Sequence, residues 1–262
     1  MTALPATGTF APDPGAAPLG RMVAAQARME SRLILRNGEQ LLLAVVIPVI
    51  VLVGGVAGAR HVGIHFAHPP VDVFTPGVLA LAVMSTAFAS LAIATGFERR
   101  YGVIKRLGSS PLPRSGLLLG KIGALLMVEV LQLVVIGAVA LVLGWSPVVS
   151  AGSVGSAVVV IALGTAAFAG LGLFLAGVLR AEATLAAANL VYLLLMAGGA
   201  VILPTTSYGG FGVVAAWLPS GALGNGLRLA SLDGTLSLHT VLVLVIWAVV
   251  GATLTARTFT WE

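Results

Sequence analysis

Cysteine is absent from the sequence, which excludes disulfides, thiolate metal sites and thiol chemistry. Charge is scarce: Asp, Glu, Lys and Arg make up 9% of the residues, far below the ~25% of soluble domains, so an ordinary soluble domain is excluded. Acidic residues number nine against fourteen basic ones, and only two of the latter are lysine. That excess of Arg, amid abundant Ala, Gly and Val, is the bias of a GC-rich bacterial genome. A phosphate-binding loop is missing as well. Its nearest approach, residues 116–122, has the wrong glycine spacing and places Ile122 where Ser or Thr must follow the lysine. The chain is therefore expected to be no enzyme and to hold no cofactor. Residues 1–20, rich in Pro, Ala, Thr and Gly, lack the cationic and apolar regions of a signal peptide and are expected to form a disordered tail.

Hydrocarbon is what the sequence has in plenty. Hydrophobic residues make up 58% of it and its mean hydropathy is +1.07. Apolar runs at about 41–59, 76–95, 117–143, 154–179, 184–203 and 238–256 each approach or exceed the ~20 residues that cross a bilayer as a helix. The expected fold class is an all-α membrane protein with six transmembrane helices. Orientation follows from the basic residues. With the N-terminus inside, Arg21, Arg28, Arg32, Arg36, Arg99, Arg100, Lys105, Arg106, Arg114, Lys121, Arg180 and Arg257 are internal, against Arg60 and Arg228 outside. Both termini are expected in the cytoplasm of a multi-pass plasma-membrane protein. The net charge of +5 is thereby explained without nucleic acid as a partner.

Three flanking segments carry further pattern. Arg21, Arg28, Arg32 and Arg36 share one side of a helix beside an apolar stripe of Met22, Met29 and Leu33. This suits a helix lying among anionic headgroups, an ordinary cytosolic helix being the alternative. His61, His65 and His68 have a spacing a metal would use on a helix, but Gly63, Pro69 and Pro70 favour a wet external loop. Between spans five and six, 211–218 and 221–231 read as short helices broken at Pro219. They form either a re-entrant hairpin covered by protein or a packed external loop.

Residues 97–121, FERRYGVIKRLGSSPLPRSGLLLGK, are a charged island holding six of the fourteen basic residues. Residues 98–107 suit a short helix whose apolar face is Tyr101, Ile104 and Leu107, with Glu98 at its N-terminus and Lys105 and Arg106 at its C-terminus. Basic residues alone would serve topology; the apolar face asks for a partner.

The run GluArgArgTyrGlyValIleLysArgLeu, the following SerSerProLeu and Gly120-Lys121 resemble the cytoplasmic loop between spans two and three of ABC type-2 exporter permeases. The six-span layout, the N-terminal amphipathic helix and the external ProSerGlyAlaLeuGlyAsnGlyLeuArg before span six match that family too. The resemblance implies a transmembrane domain over 21–262, with an interface helix at 21–37 and a coupling loop at 97–115. Within that loop Glu98, Arg99, Arg100, Tyr101, Gly102, Ile104, Lys105, Arg106, Leu107 and Pro111 would dock on a separate ATPase. It also implies two ATP-binding subunits that carry ATP and Mg, and a second permease chain, identical or a close paralogue. The multidrug and antibiotic branch is the nearer one, so hydrophobic or amphipathic compounds are the expected cargo; the polysaccharide or lipid-linked glycan branch is the alternative. An ion-coupled secondary transporter would be expected to show an inverted repeat and ionisable residues along a pathway. An intramembrane enzyme would need convergent catalytic groups.

Glu129 is the one acidic residue deep in an apolar run, with Gln132 one turn later and Asn189 a possible cross-helix partner. Together they either line a translocation path or act as polar glue between spans.

Overall fold

A helix crossing hydrocarbon satisfies its own amides, and in the computed structural model each long apolar run is helical over most of its length. The structure describes residues 17–36, 38–63, 66–107 and 112–258, and no strand occurs among them. In chain order the helices are α1 (Leu19–Arg36), α2 (Gly38–Val62), α3 (Pro70–Met84), α4 (Leu91–Arg100), α5 (Val103–Leu107), α6 (Arg114–Val142), α7 (Ala151–Val178), α8 (Ala181–Gly198), α9 (Phe211–Ala215), α10 (Pro219–Leu232) and α11 (Leu238–Thr258). A π-helical turn, Ser85–Ser90, joins α3 to α4 without a break. Six helices are long and apolar enough to cross a membrane: Ala44–Val62, Pro70–Arg100, Ser115–Val142, Ala151–Val178, Ala181–Gly198 and Leu238–Thr258. The expected tail falls largely outside the described residues, as do Asn37, His65 and Pro111.

The second span is the central rod, buried along most of its length while the others keep an exposed face. It is longer at both ends than the apolar run of 76–95. Pro70 occupies the first turn, where its missing N–H costs nothing, and Asp72 there accepts a hydrogen bond from Ser146 N at 3.2 Å. Around it the core is built from Leu81, Met84, Phe88, Phe168, Leu223 and Leu244.

Span five ends earlier than its apolar run. Ala200 takes φ +52°, and residues 199–203 are non-helical. Spans four and six are brought together by glycine: a Cβ on Gly170 would lie 2.8 Å from Gly251 C, and one on Gly251 2.9 Å from Leu171 N. Thr255 Oγ1 donates to Gly170 O at 2.7 Å across the same seam, a close approach of the kind small residues permit between membrane helices. Pro219 opens α10 at its first position instead of separating two helices, and α10 packs against α3 and α7.

Helix α1 has one basic face, but the face that packs on the bundle is not the stripe of Met22, Met29 and Leu33: of these only Met22 packs there. Its four arginines are exposed, Met29 and Leu33 stay exposed, and Gln26 and Ala27 press onto Gly120 and Gly123 of α6.

Candidate functional site: the basic end of the bundle

Residues 98–107 do not form one helix. Helix α4 stops at Arg100, and Gly102 at φ +68°, a conformation that favours glycine, redirects the chain before α5 starts at Val103. The shared apolar face is thereby split. Ile104 turns inward, 1% exposed, and packs with Leu112 and Leu117; Leu107 and Met22 lie against the same cluster. Tyr101 points out at 62% exposure, stacked on Phe97 with ring centroids 6.1 Å apart and under the Arg100 guanidinium at 6.0 Å. An outward surface remains, formed by Arg100, Tyr101, Val103, Lys105 and Arg106. Ile104 supports it from beneath and takes no part in it.

Beneath that surface the chain is cross-linked by charge. Lys121 of α6, its side chain 4% exposed, pairs with Glu30 of α1 at 3.2 Å and with Glu98 of α4. Gln26 Nε2 donates to Glu30 at 2.9 Å. Arg99 donates to the carbonyls of Ala176 and Gly177, at 2.9 Å for the latter, so a cation meets the negative end of the α7 dipole. Arg100 pairs with Glu182 at the start of α8, an exposed pair that contributes little stability. Four helices are thus tied to the residues flanking Tyr101.

Sequence reasoning used Lys121 as a topological charge and as part of the family-like run, gave it no ion-pair partner, and assigned Glu30 no part. The signal for Glu30 is its position one helical turn after Gln26, away from the arginines of α1. Nothing local marks Lys121.

Halfway along the bundle, Glu129 and Gln132 are 2% and 1% exposed, each satisfied by a different neighbour. Thr165 Oγ1 of α7 lies 2.9 and 3.1 Å from the two carboxylate oxygens of Glu129 and donates to that group. Gln132 Oε1 accepts from Thr86 Oγ1 of the π turn at 2.9 Å, and its Nε2 donates to Ala44 O of α2 at 2.8 Å. Asn189 is exposed on α8 and is not among these partners. Glu129→Gln keeps a partner for Thr165 and is expected to leave the unfolding midpoint in nanodiscs unchanged. Glu129→Leu should lower it by the equivalent of about 0.6–1.7 kcal/mol, the range for a hydrogen bond between membrane helices.

At the opposite end, Arg228 of α10 is 6% exposed and reaches four acceptors. Nε donates to Val73 O at 3.4 Å, Nη1 to Asn225 Oδ1 at 3.2 Å, and Nη2 to Val201 O at 2.8 Å and to Ile202 O. Burial pulls the guanidinium down to about 10, with Tyr208 opposing the shift, which leaves it cationic at neutral pH. Ser220 Oγ donates to Gly199 O at 2.8 Å. The unwound end of span five is therefore held by α10. His61 and His68 are exposed, and among the described residues no three His, Asp or Glu side chains are grouped to hold a metal ion.

A family profile described as ABC-2 type transporter matches residues 19–230, from the first residue of α1 into α10. No curated protein matches the chain.

Proposed function

The chain belongs to the ABC-2 type transporter family, and from that premise we propose that it is the permease of an ATP-driven exporter, driven through the surface around Tyr101. A permease of this family is a transport subunit that works with an ATP-binding subunit. In the proposed assembly two ATP-binding subunits carry ATP and Mg, and two permease chains, identical or paralogous, enclose the path for a hydrophobic or amphipathic compound. The basic end lies in the cytoplasm of a bacterial cell, with both termini, and α9 and α10 form a re-entrant hairpin at the outer face.

The observation that carries this reading is the pairing of an outward aromatic and cationic surface with buried connections behind it. Tyr101 and its basic neighbours offer a partner stacking area and charge. A push on α4 and α5 reaches α1 and α6 through Glu98 and Lys121, and α7 through Arg99. For Glu129 and Gln132 the geometry supports a connecting role: each is enclosed within one chain and bonded to neighbouring helices.

Two substitutions divide the loop. Tyr101→Ala is expected to leave stability unchanged and weaken ATPase binding about ten- to a hundredfold, the loss for a buried aromatic of about 1.5–3 kcal/mol. Ile104→Ala should instead lower the unfolding midpoint, at a cost of about 2 kcal/mol, the low end for truncating a buried aliphatic residue. Affinity for the co-purified ATPase checks the first and thermal unfolding the second; unchanged affinity in Tyr101→Ala would place docking elsewhere.

A further inference from the structure

Between α1, α2, α4 and α6 lies a half-open cavity of about 220 Å³. Leu91, Leu125 and Val128 wall it, and Ala94, exposed on α4, marks its mouth. Glu30, Glu98 and Lys121 form its polar end. Among the described residues the charges there do not balance, since two carboxylates face one ammonium. The arginines of α1 are exposed on its other face, Arg99 is turned to α7, and among the described residues no second cation lines the cavity. A surplus carboxylate in such a place is costly unless a proton or an external cation meets it.

We propose that this cavity binds a small cationic amphiphile of the alkylammonium class, its head against the Glu30 and Glu98 carboxylates beside Lys121 and its chain along the apolar wall. A bare metal ion is the poorer fit, because hard cations take six or more oxygens and two carboxylates offer too few. An anion would face both carboxylates while the ammonium of Lys121 is already doubly paired. Size agrees: an apolar cavity of ~150 Å³ accommodates benzene, so this one takes about eight to ten heavy atoms. The site is separate from the Tyr101 surface, and its occupancy does not depend on the ATPase reading.

The test uses the full chain in nanodiscs with radiolabelled octylammonium, empty nanodiscs giving the partitioning blank. Octanol and octanoate, of matched chain length, serve as neutral and anionic competitors. Saturable binding is expected, with octylammonium preferred over octanol by about tenfold or more, equivalent to one modest charge contact, and octanoate weakest. Ala94→Phe, which fills the mouth from an exposed position, should abolish the saturable component without lowering the unfolding midpoint. Glu98→Gln should retain binding but lose the preference for the cation. Binding no greater than in empty nanodiscs, an octanoate preference, or wild-type binding by a folded Ala94→Phe would each overturn the proposal.

Discussion

Lys121→Met is expected to lower stability by about 3–5 kcal/mol, the range for removing one partner of a buried charge pair. Methionine fills much the same volume, so the loss is electrostatic: Glu30 and Glu98, both largely buried, would keep their desolvation cost without the ammonium that offsets it. Glu98→Gln on the same background should recover part of the loss by removing one stranded charge. The measurement is the unfolding midpoint in nanodiscs, with the double-mutant cycle separating lost packing from lost pairing. Were Lys121→Met as stable as the wild type, both carboxyls would have to be neutral already, and the charge link between α4 and α6 would fail as a route for coupling.

Arg228→Met is expected to release the end of span five that lies opposite the basic loop. Its guanidinium serves the carbonyls of Val73, Val201 and Ile202, and each buried acceptor left unpaired costs about 1–3 kcal/mol. Arg228→Lys should rescue only in part, because one ammonium cannot reproduce the planar fork that spans α3 and the unwound segment after α8. Since the chain has no cysteine, a single one placed at Tyr208 reports the change cleanly through its labelling rate. Faster labelling in Arg228→Met with α11 intact is the expected result; an unchanged rate would mean that Ser220 and the α10 packing hold the segment without Arg228.

Apolar run length was enough to read six spans, because that requirement comes from the bilayer and not from neighbours. Where the spans end was harder to see. Span five stops at Gly198 because Arg228, thirty residues later, takes the carbonyls of the unwound segment, and no local pattern encodes that contact. In the basic loop the three-residue spacing of Tyr101, Ile104 and Leu107 holds a face only on a continuous helix. Gly102 was the readable warning, and its positive φ separates the outward tyrosine from the buried isoleucine. Glu129 was legible as the lone acidic residue deep in an apolar run, but its partners were not: its sequence neighbour Gln132 bonds elsewhere. Thr165 and Thr86 become partners only once α6 lies against α7 and the second span.

The π turn at Ser85–Ser90 sets the angular phase of the central rod. Successive residues of an α-helix are rotated by about 100°, and a π turn accommodates one extra residue without breaking the rod. Residues above and below it are therefore out of step by that amount relative to an unbroken α-helix. Above the turn, α3 meets α10 and receives Arg228 at Val73; below it, α4 offers Glu98 to Lys121 and Arg99 to the end of α7. At the turn itself adjacent residues diverge, Ser85 toward Tyr192 of α8 and Thr86 toward Gln132 of α6. If the turn relaxed to α geometry while α3 stayed on α10, Glu98 and Arg99 would swing together about a quarter-turn off their partners. A torsional step at mid-rod would thus switch both connections at the basic end at once, with no sliding of one helix along another.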